Sequence, residues 1–174
     1  YLVTSASGYT NQGWHLRQST DGGATFTTVF FGATSASSPC IETDSNNNLY
    51  LVYIEDGVDA TFLKFLAADY TTPSVTTTLV GLSGDKYCMA LDEANDRIYF
   101  TNNSGAVTNK FVALDLAGSV VTGPYQFTQN GPIALAEYPN LQIDGDGNLY
   151  CAWTTQWPSP LPYYNISWLV SRDL

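Results

Sequence analysis

The sequence predicts an all-β protein built from repeated four-stranded antiparallel sheets. Its composition favours strands, because 14% of the residues are aromatic and only 13% are charged, whereas soluble domains usually carry about 25% charged residues. A polar turn flanked by two apolar strands recurs along the chain. No stretch shows a sustained apolar stripe of helical spacing with capping residues, so we expect helices of a single turn at most.

The recurring unit has a period of about fifty residues. Its three clearest copies span residues 39–51, 87–100 and 139–151. Their aspartates, which lie 48 and 52 residues apart, are Asp44, Asp92 and Asp144. Their tyrosines, which lie 49 and 51 residues apart, are Tyr50, Tyr99 and Tyr150. Each period contains two further alternating segments, and four short strands per repeat are typical of a β-propeller blade.

This period divides the chain into about three and a half blades of a single partial β-propeller. We expect blade remnants at 1–36, full blades at 37–84 and 85–135, and a partial blade at 136–174. An open ring would leave strand edges and apolar sheet faces bare, so we expect these blades to belong to a ring of roughly six or seven. The chain is then part of a longer polypeptide, and ring closure by another copy or another chain is the alternative.

The charge and hydropathy patterns exclude two classes of partner. The formal net charge is -10, and the six Lys and Arg residues are spread singly along the chain. Nucleic-acid binding needs clustered cations and is therefore not expected. The longest apolar run, Leu49 to Ile54, is far shorter than the roughly 20 residues of a membrane-spanning helix, so membrane insertion is not expected. The three cysteines lie in apolar stretches, and we expect buried thiols at Cys40, Cys88 and Cys151.

The segment Ser19-Thr-Asp21-Gly-Gly23-Ala-Thr25-Phe26 matches the pattern Ser-x-Asp-x-Gly-x-Thr-(Trp/Phe) at every defining position. It resembles the Asp-box, or bacterial neuraminidase repeat, of sialidase-like β-propellers. In that family the motif is a turn between the third and fourth strands of a blade. The resemblance implies that Asp21 accepts amide hydrogen bonds, that Gly23 adopts a positive φ, and that Phe26 anchors the next strand.

A second copy of this motif begins near the end of the chain, at residues 166–173. Asp21 and Asp173 are 152 residues apart, which equals three periods and agrees with the tyrosine spacing. The resemblance therefore covers the whole chain. Because Asp-boxes occur in propellers with different activities, the motif indicates the fold and not an activity.

The sialidases of the resembling family use three arginines, a Tyr-Glu nucleophile pair and an Asp acid/base. This chain has only Arg17, Arg97 and Arg172, and it lacks the family's Arg-Ile-Pro segment. We interpret these arginines as structural or solvent-facing. Other glycosidases need two carboxylates about 5 to 9 Å apart, for which the candidates are Glu42, Glu55, Asp56, Asp59 and Glu137. Glu42 could face a central channel, whereas Glu55, Asp56 and Asp59 suit a solvated loop, and we therefore predict no catalytic residue.

Two further polar features have simple structural interpretations. His15 is the only histidine, so it cannot form a multi-histidine metal site, and we expect it on a strand surface. The segment containing Asp144, Asp146 and Asn148 resembles the opening of a calcium loop, but Thr155 stands where the twelfth-position carboxylate would be. We therefore predict an Asx-type hairpin turn and no cofactor, with calcium as the weaker alternative.

An aromatic-rich span around the proline-containing residues 156–162 is the best candidate binding surface. We expect Trp153 and Trp168 in the blade core, and we predict that Trp157, Tyr163 and Tyr164 contact a ligand. The sequons beginning at Asn102 and Asn165 would permit N-glycosylation in a eukaryotic secretory route.

The sequence favours a non-catalytic recognition or structural module on an extracellular, cell or virion surface. Glycan or protein is the expected partner, together with remaining blades from the same polypeptide or another subunit. One alternative is a sialidase-like glycoside hydrolase whose catalytic residues lie mostly outside this chain. The other alternative is a structural protein of a virion or surface layer.

Overall fold

A computed structural model shows an all-β chain, as the sequence predicts. The structure describes residues 1–6, 13–32, 36–55, 59–82, 84, 86–103, 109–127, 135–157 and 163–171. These residues form fourteen strands. Within these ranges, there is no helix with the length and apolarity needed to cross a membrane.

The strands form four antiparallel sheets, and in each sheet the strands are neighbours in chain order. The first sheet contains β1 (Leu2–Ala6), β2 (Gly13–Gln18) and β3 (Thr27–Gly32). The second contains β4 (Ala36–Thr43), β5 (Leu49–Glu55), β6 (Asp59–Phe65) and β7 (Val75–Leu79). The third contains β8 (Lys86–Asp92), β9 (Arg97–Asn103), β10 (Asn109–Leu114) and β11 (Val120–Phe127). The fourth contains β12 (Leu135–Ile143), β13 (Leu149–Trp157) and β14 (Tyr163–Ser171).

The sheets pack against one another in chain order, with their first strands side by side. β8 lies between β4 and β12, and β12 also packs on β9 of the preceding sheet. β1 packs on β4 in a similar way, which suits a second strand of a blade. Four-stranded meanders stacked through their faces around a common inner edge form a β-propeller, so the predicted fold class is confirmed.

The sequence of strand β5 is apolar without alternation because neighbouring sheets cover both of its faces. Leu49 and Leu51 pack towards the first sheet with Trp14, whereas Tyr50 and Val52 pack towards the third sheet. Both faces of the strand are therefore covered, and a doubly covered strand reads as a continuous apolar run. The run from Leu49 to Ile54 is a core strand of the propeller.

Polar contacts join the second and third sheets in addition to this core. The ammonium group of Lys64 donates to the backbone oxygen of Leu116 at 2.9 Å, and it lies 5.3 Å from the centre of the Tyr50 ring. The backbone amide of Ser45 donates to a Glu93 carboxylate oxygen at 2.9 Å, and the Ser45 hydroxyl donates to the other oxygen. These contacts fix the relative register of the two blades.

The Ser45–Glu93 contact also places the β4–β5 and β8–β9 turns beside each other. We call the end of the propeller that carries these turns and the β12–β13 turn the turn end. The opposite end, where β5 connects to β6, β9 to β10 and β13 to β14, is the loop end. The turn end carries Asp44 and Asp144, whose carboxylates organise their hairpins.

None of the three cysteines forms a disulfide. Cys151 is buried as expected, but Cys40 and Cys88 are only half-buried because they lie on first strands at the inner edge of their sheets. Burial raises the pKa of the Cys40 and Cys151 thiols to about 12. These thiols are therefore protonated and unreactive at neutral pH.

Candidate functional site

The β4–β5 turn is organised by the carboxylate of Asp44. One oxygen accepts hydrogen bonds from the backbone amides of Asn46 at 3.0 Å and Asn48 at 2.7 Å. The other accepts from the Asn48 side chain at 2.8 Å and from the Tyr50 hydroxyl at 2.9 Å. Burial alone would raise the pKa of Asp44, but these donors outweigh it and lower the pKa.

The β12–β13 turn repeats this arrangement around Asp144. Its carboxylate accepts from the backbone amides of Asp146 at 3.0 Å and Asn148 at 2.9 Å. It also accepts from the Asn148 side chain at 2.8 Å and the Tyr150 hydroxyl at 2.9 Å. The Asn148 donors above all lower the pKa of Asp144 to about 2.

This geometry favours the Asx-type turn over the calcium alternative. A cation bound to Asp144, Asp146 and Asn148 would compete with four hydrogen bonds that already engage both Asp144 oxygens. Within the described part of the chain, there is no group of three or more His, Cys, Asp or Glu side chains arranged to hold a metal ion. Calcium binding here stays an untested alternative.

The paired turns allow a stability test with an internal control. Tyr50→Phe removes a hydroxyl that bonds Asp44 in a fully buried site, so we expect unfolding free energy to fall by about 1.5 kcal/mol. Tyr150→Phe removes the same bond, at the same 2.9 Å, from a residue that is 41% exposed. Because water replaces the exposed bond, we expect a loss below about 0.5 kcal/mol. Urea denaturation of both variants checks this, and equal losses would contradict it.

The segment from Ser19 to Thr25 forms a closed turn between β2 and β3. Asp21 accepts from the Thr25 amide at 2.9 Å and the Thr25 hydroxyl at 2.6 Å. It also accepts from the Ser19 hydroxyl at 2.7 Å, and the Gly23 amide donates to the Ser19 oxygen at 2.8 Å. Gly22 and Gly23 have φ values of 71° and 93°. The Thr25 hydroxyl is the main reason that the pKa of Asp21 lies well below its usual range.

Phe26 departs from what the motif's resemblance implies. We expected it to anchor the next strand into the blade, but its side chain is 41% exposed. The physical reason is its position, because it immediately precedes β3, the outermost strand of the first sheet. The aromatic side chains of this sheet that are packed towards the second sheet are instead Trp14 and Phe30.

The carboxylates considered for glycosidase chemistry lie in different settings. Glu42 is half-buried on β4, and burial raises its pKa. Asp59 accepts a hydrogen bond from the Gly81 amide at 2.8 Å, which fixes the start of β6. The side chains of Glu55 and Glu137 and the whole of Asp56 lie outside the described residues. Of the two candidates whose side chains the structure describes, Glu42 is the one whose environment suits a protonated acid.

The basic candidates are similarly dispersed. Arg97 donates to the backbone oxygen of Asp96 at 2.8 Å in an exposed turn. Arg17 is half-buried on β2, and Arg172 lies outside the described residues. His15 is half-buried on the same strand, with its ring 4.9 Å from that of Phe31. Arg17 and Arg97 lie at the turn end, and the structure brings neither of them to the loop end.

The structure divides the three predicted ligand-contacting aromatics between two register positions. Trp157 pairs with Tyr163, and Tyr164 pairs with Gln156, at the loop end of the β13–β14 hairpin. Their side chains lie outside the described residues. Leu149, Cys151 and Trp153 on β13 pack against the third sheet. Trp157 and Tyr163 share one register position of the hairpin, and Tyr164 holds the next position along β14.

Trp153 is partly buried against the core, in agreement with its expected place in the blade. The side chain of Trp168 lies outside the described residues. Its backbone pairs with Ala152 in the middle of the β13–β14 ladder. The hairpin that carries the candidate aromatics is thus joined to the core at Trp153.

A buried polar group at the loop end of the third sheet was missed by the sequence reasoning. Thr101 is fully buried, Asn103 is 5% exposed and Asn109 is 1% exposed. Asn103 and Asn109 pair across β9 and β10, at the register position held by Ile54 and Ala60 in the second sheet. Aligning the repeats would have found this replacement of apolar residues by amides, but the sequence Asn102-Asn103-Ser104 was considered only as a glycosylation sequon.

The structure counts against glycosylation at Asn102. This residue lies on β9 and is fully buried, and a glycan at such a position would prevent the strand from packing. The side chain of Asn165 lies outside the described residues, although its backbone pairs with Thr155 in the β13–β14 ladder. Glycosylation at Asn165 stays a prediction.

The fold and the two ends define the class of protein as a β-propeller of four-stranded antiparallel blades. No protein-family model matches the chain, and no curated protein matches it. Among solved structures, the chain is similar to the intramolecular trans-sialidase from Ruminococcus gnavus, solved in complex with oseltamivir carboxylate. The two are 14% identical with a TM-score of 0.56, over 82% of this chain and 33% of that one. The likeness shows a sialidase-like propeller fold, and the chain spans about a third of that protein.

Proposed function

We propose that this chain is a non-catalytic recognition module exposed on an extracellular, cell or virion surface, and that it binds a glycan. The observation that carries the proposal is the Trp157–Tyr163 pair at the loop end of the β13–β14 hairpin. The sequence between them contains prolines at 158, 160 and 162, and proline restricts backbone conformation. Aromatic residues suit stacking on sugar rings.

The chemistry of the turn end supports a binding role rather than a catalytic one. The carboxylates of Asp21, Asp44 and Asp144 are engaged by donors of their own turns, and their pKa values are lowered. Such groups stay ionised and act as turn acceptors, whereas a general acid needs a raised pKa. We also propose that the Ser19–Thr25 turn is an Asp-box, on the strength of its match and its hydrogen bonds.

The test is glycan binding by the wild-type chain and by Trp157→Ala and Tyr163→Ala. We expect each substitution to weaken binding to a glycan array hit by about tenfold or more, as the loss of an aromatic anchor does. Tyr125→Ala is the matched control, because Tyr125 is 62% exposed on the outer strand β11. Binding of the wild-type chain to surface proteins but to no glycan would favour a protein partner.

The hydrolase alternative is favoured by one observation, the half-buried Glu42 with its raised pKa. The same preparations can therefore be assayed with fluorogenic glycosides, including a sialoside. Turnover by the wild-type chain that Glu42→Gln abolishes would replace the binding proposal with a catalytic one. No turnover is expected from a recognition module.

We also propose that further blades, from the same polypeptide or another subunit, cover the outer face of the fourth sheet. Tyr50 and Tyr99 are 0% and 3% exposed, whereas Tyr150 at the equivalent position is 41% exposed. The first two are covered by the sheet that follows them. This exposed face also suits the alternative of a structural protein in a virion or surface layer, and native mass spectrometry distinguishes a monomer from an assembly.

A further inference from the structure

We infer that the propeller closes head to tail with a second copy of this chain, whose first sheet docks on the outer face of the fourth sheet and brings Arg17 to Tyr150. The inference rests on the proposed cover of the fourth sheet by further blades, and it names the occupant and the contact. It does not depend on glycan recognition.

The outer face of the first sheet is polar. Trp14 and Leu16 on β2 pack towards the second sheet. Because alternate positions of a strand share a face, His15 and Arg17 belong to the opposite, outer face, and both are half-buried. Phe31, which pairs with His15, is 43% exposed. This face therefore carries a cation and an exposed aromatic ring, and Arg and aromatic residues are enriched in protein interfaces.

The corresponding face of the next two sheets is apolar. On β6, Leu63 and Phe65 are buried against the first sheet. On β10, Val112 and Leu114 are buried against the second sheet. Strand β2 holds the same third-strand place in the first sheet, but it carries Arg17 there. A surface that covers this face must therefore provide groups for a cation.

The outer face of the fourth sheet provides such groups. Leu149 and Cys151 on β13 pack towards the third sheet, so Tyr150 between them belongs to the outer face. Gln142 pairs with Tyr150 and shares this face, and both residues are exposed. The Tyr150 hydroxyl bonds Asp144, whose pKa is lowered to about 2. An aromatic ring beside a carboxylate that is ionised at neutral pH suits a guanidinium group.

The contact between the second and third sheets already places a cation beside a tyrosine of this motif. The Lys64 ammonium group lies 5.3 Å from the centre of the Tyr50 ring, and Lys64 is the residue on β6 that pairs with Tyr50. The residue on β14 that pairs with Tyr150 is Val170, which is uncharged. In the fourth sheet, an arginine from the docked copy can take the role that Lys64 has in the second.

Arg17 and Tyr150 both lie at the turn end. Tyr150 follows the β12–β13 turn as Tyr50 follows the β4–β5 turn. Arg17 is near the turn end of β2, and Leu114 ends β10 at the same end. Tyr50 and Leu114 belong to one core cluster across the second and third sheets. A first sheet that stacks on the fourth as the third stacks on the second therefore brings Arg17 to Tyr150.

Two copies are enough to close a ring of this kind. Head-to-tail contacts use different faces of each copy, so they form a ring when the rotation closes and a filament when it does not. Each copy has four sheets, and two copies together have about eight, within the range of known propellers. This ring is larger than the roughly six or seven blades expected from the sequence. Both faces of each copy are then used, and association stops at the dimer.

The experiment measures self-association of the full chain by sedimentation equilibrium. We expect the wild-type chain to dimerise and Arg17→Glu, which reverses the charge brought to Tyr150, to raise Kd about thirtyfold or more. Gln142→Arg places a positive charge beside Tyr150 on the outer face and should have a similar effect. Arg97→Glu is the matched control, because it makes the same charge change in an exposed turn of the third sheet, and we expect it to leave Kd unchanged.

A mixture of the two interface variants tests the head-to-tail arrangement. One contact of the mixed dimer joins two unchanged faces, and the other brings the two substituted positions together with opposite charges. We therefore expect the mixture to form a 1:1 dimer with a Kd about tenfold or more below that of either variant alone. Thermal melts establish which variants are folded. Arg17→Met, which removes the charge but keeps a long side chain, replaces Arg17→Glu if that variant does not fold.

The outcomes separate this inference from the proposed recognition. A wild-type chain that stays monomeric at roughly 100 μM overturns the inference, and glycan binding by that monomer leaves the recognition proposal standing. A dimer whose Kd neither Arg17→Glu nor Gln142→Arg changes is formed through another surface, and the inference is then wrong. A mixture that associates no more tightly than its components, or a wild-type assembly larger than a dimer, overturns the two-copy ring. If the dimer behaves as expected but binds no glycan, the inference stands and the recognition proposal fails.

Discussion

Replacing Phe62 with alanine should lower the free energy of unfolding by about 4 kcal/mol, the largest loss that we expect from a single truncation. Phe62 is fully buried on β6, in the core between the second and third sheets. Its ring is 6.3 Å from that of Tyr50, and Gly118 of the third sheet approaches it so closely that an added Cβ would lie 2.7 Å from the Phe62 ring. Truncation therefore leaves a cavity that two rigid sheets cannot close.

Phe111→Ala is the control for this prediction. Phe111 pairs with Thr101 as Phe62 pairs with Val52, so the two residues hold the same register position in successive sheets. Phe111 is only half-buried, and we expect its truncation to cost about 2 kcal/mol. The melting temperature should fall by roughly 8 to 16 °C for Phe62→Ala and about half as much for Phe111→Ala. Equal shifts would show that the interface between the second and third sheets is no tighter than the next one.

The repeat was predictable from sequence because its turns are encoded locally. Asp44 and Asp144 each accept hydrogen bonds from residues two, four and six positions later, so the residues that make the turn recur with it. The all-β class and the four-stranded unit follow from the same local chemistry, since each turn joins two apolar strands. Nothing distant is needed to form these hairpins.

Burial was not predictable in the same way because it depends on the neighbouring sheet. Tyr50 and Tyr150 occur in the same motif and bond the equivalent aspartate at 2.9 Å. One is fully buried against the third sheet, and the other is 41% exposed. The local motif led us to expect Phe26 as an anchor, but its side chain is exposed. A local motif does not specify what packs on the outer strand that follows it.

In the candidate site, too, the local features were predictable from sequence and the long-range ones were not. Trp157, Tyr163 and Tyr164 could be selected from their aromatic and proline-rich surroundings, but only the strand register separates Tyr164 from the other two. Asn103 and Asn109 are six positions apart in sequence and become a pair only through the β9–β10 ladder. Pairing between strands is a long-range property, and a reading of local motifs does not contain it.

Gly32→Ala should also destabilise the chain strongly, by about 3 kcal/mol, through overpacking rather than a cavity. Gly32 pairs with Trp14 across β2 and β3. An added Cβ would lie 2.8 Å from Cδ1 of the Trp14 indole and would overlap two further ring atoms. Trp14 is fully buried, and its ring lies 5.2 Å from Phe30 and 5.0 Å from Tyr53. The indole therefore cannot move aside without displacing the core between the first two sheets.

Gly145→Ala provides the comparison, because a Cβ at Gly145 would meet no atom within 4 Å. We expect it to change the free energy of unfolding by less than about 0.5 kcal/mol, and Gly32→Ala to lower the melting temperature by roughly 6 to 12 °C. Differential scanning calorimetry of the two variants measures both. Since the three nearest atoms to this Cβ all belong to Trp14, the additional substitution Trp14→Phe should recover part of the loss in Gly32→Ala. If the double variant is no more stable than the sum of the two single losses predicts, the indole is not what excludes a side chain at position 32.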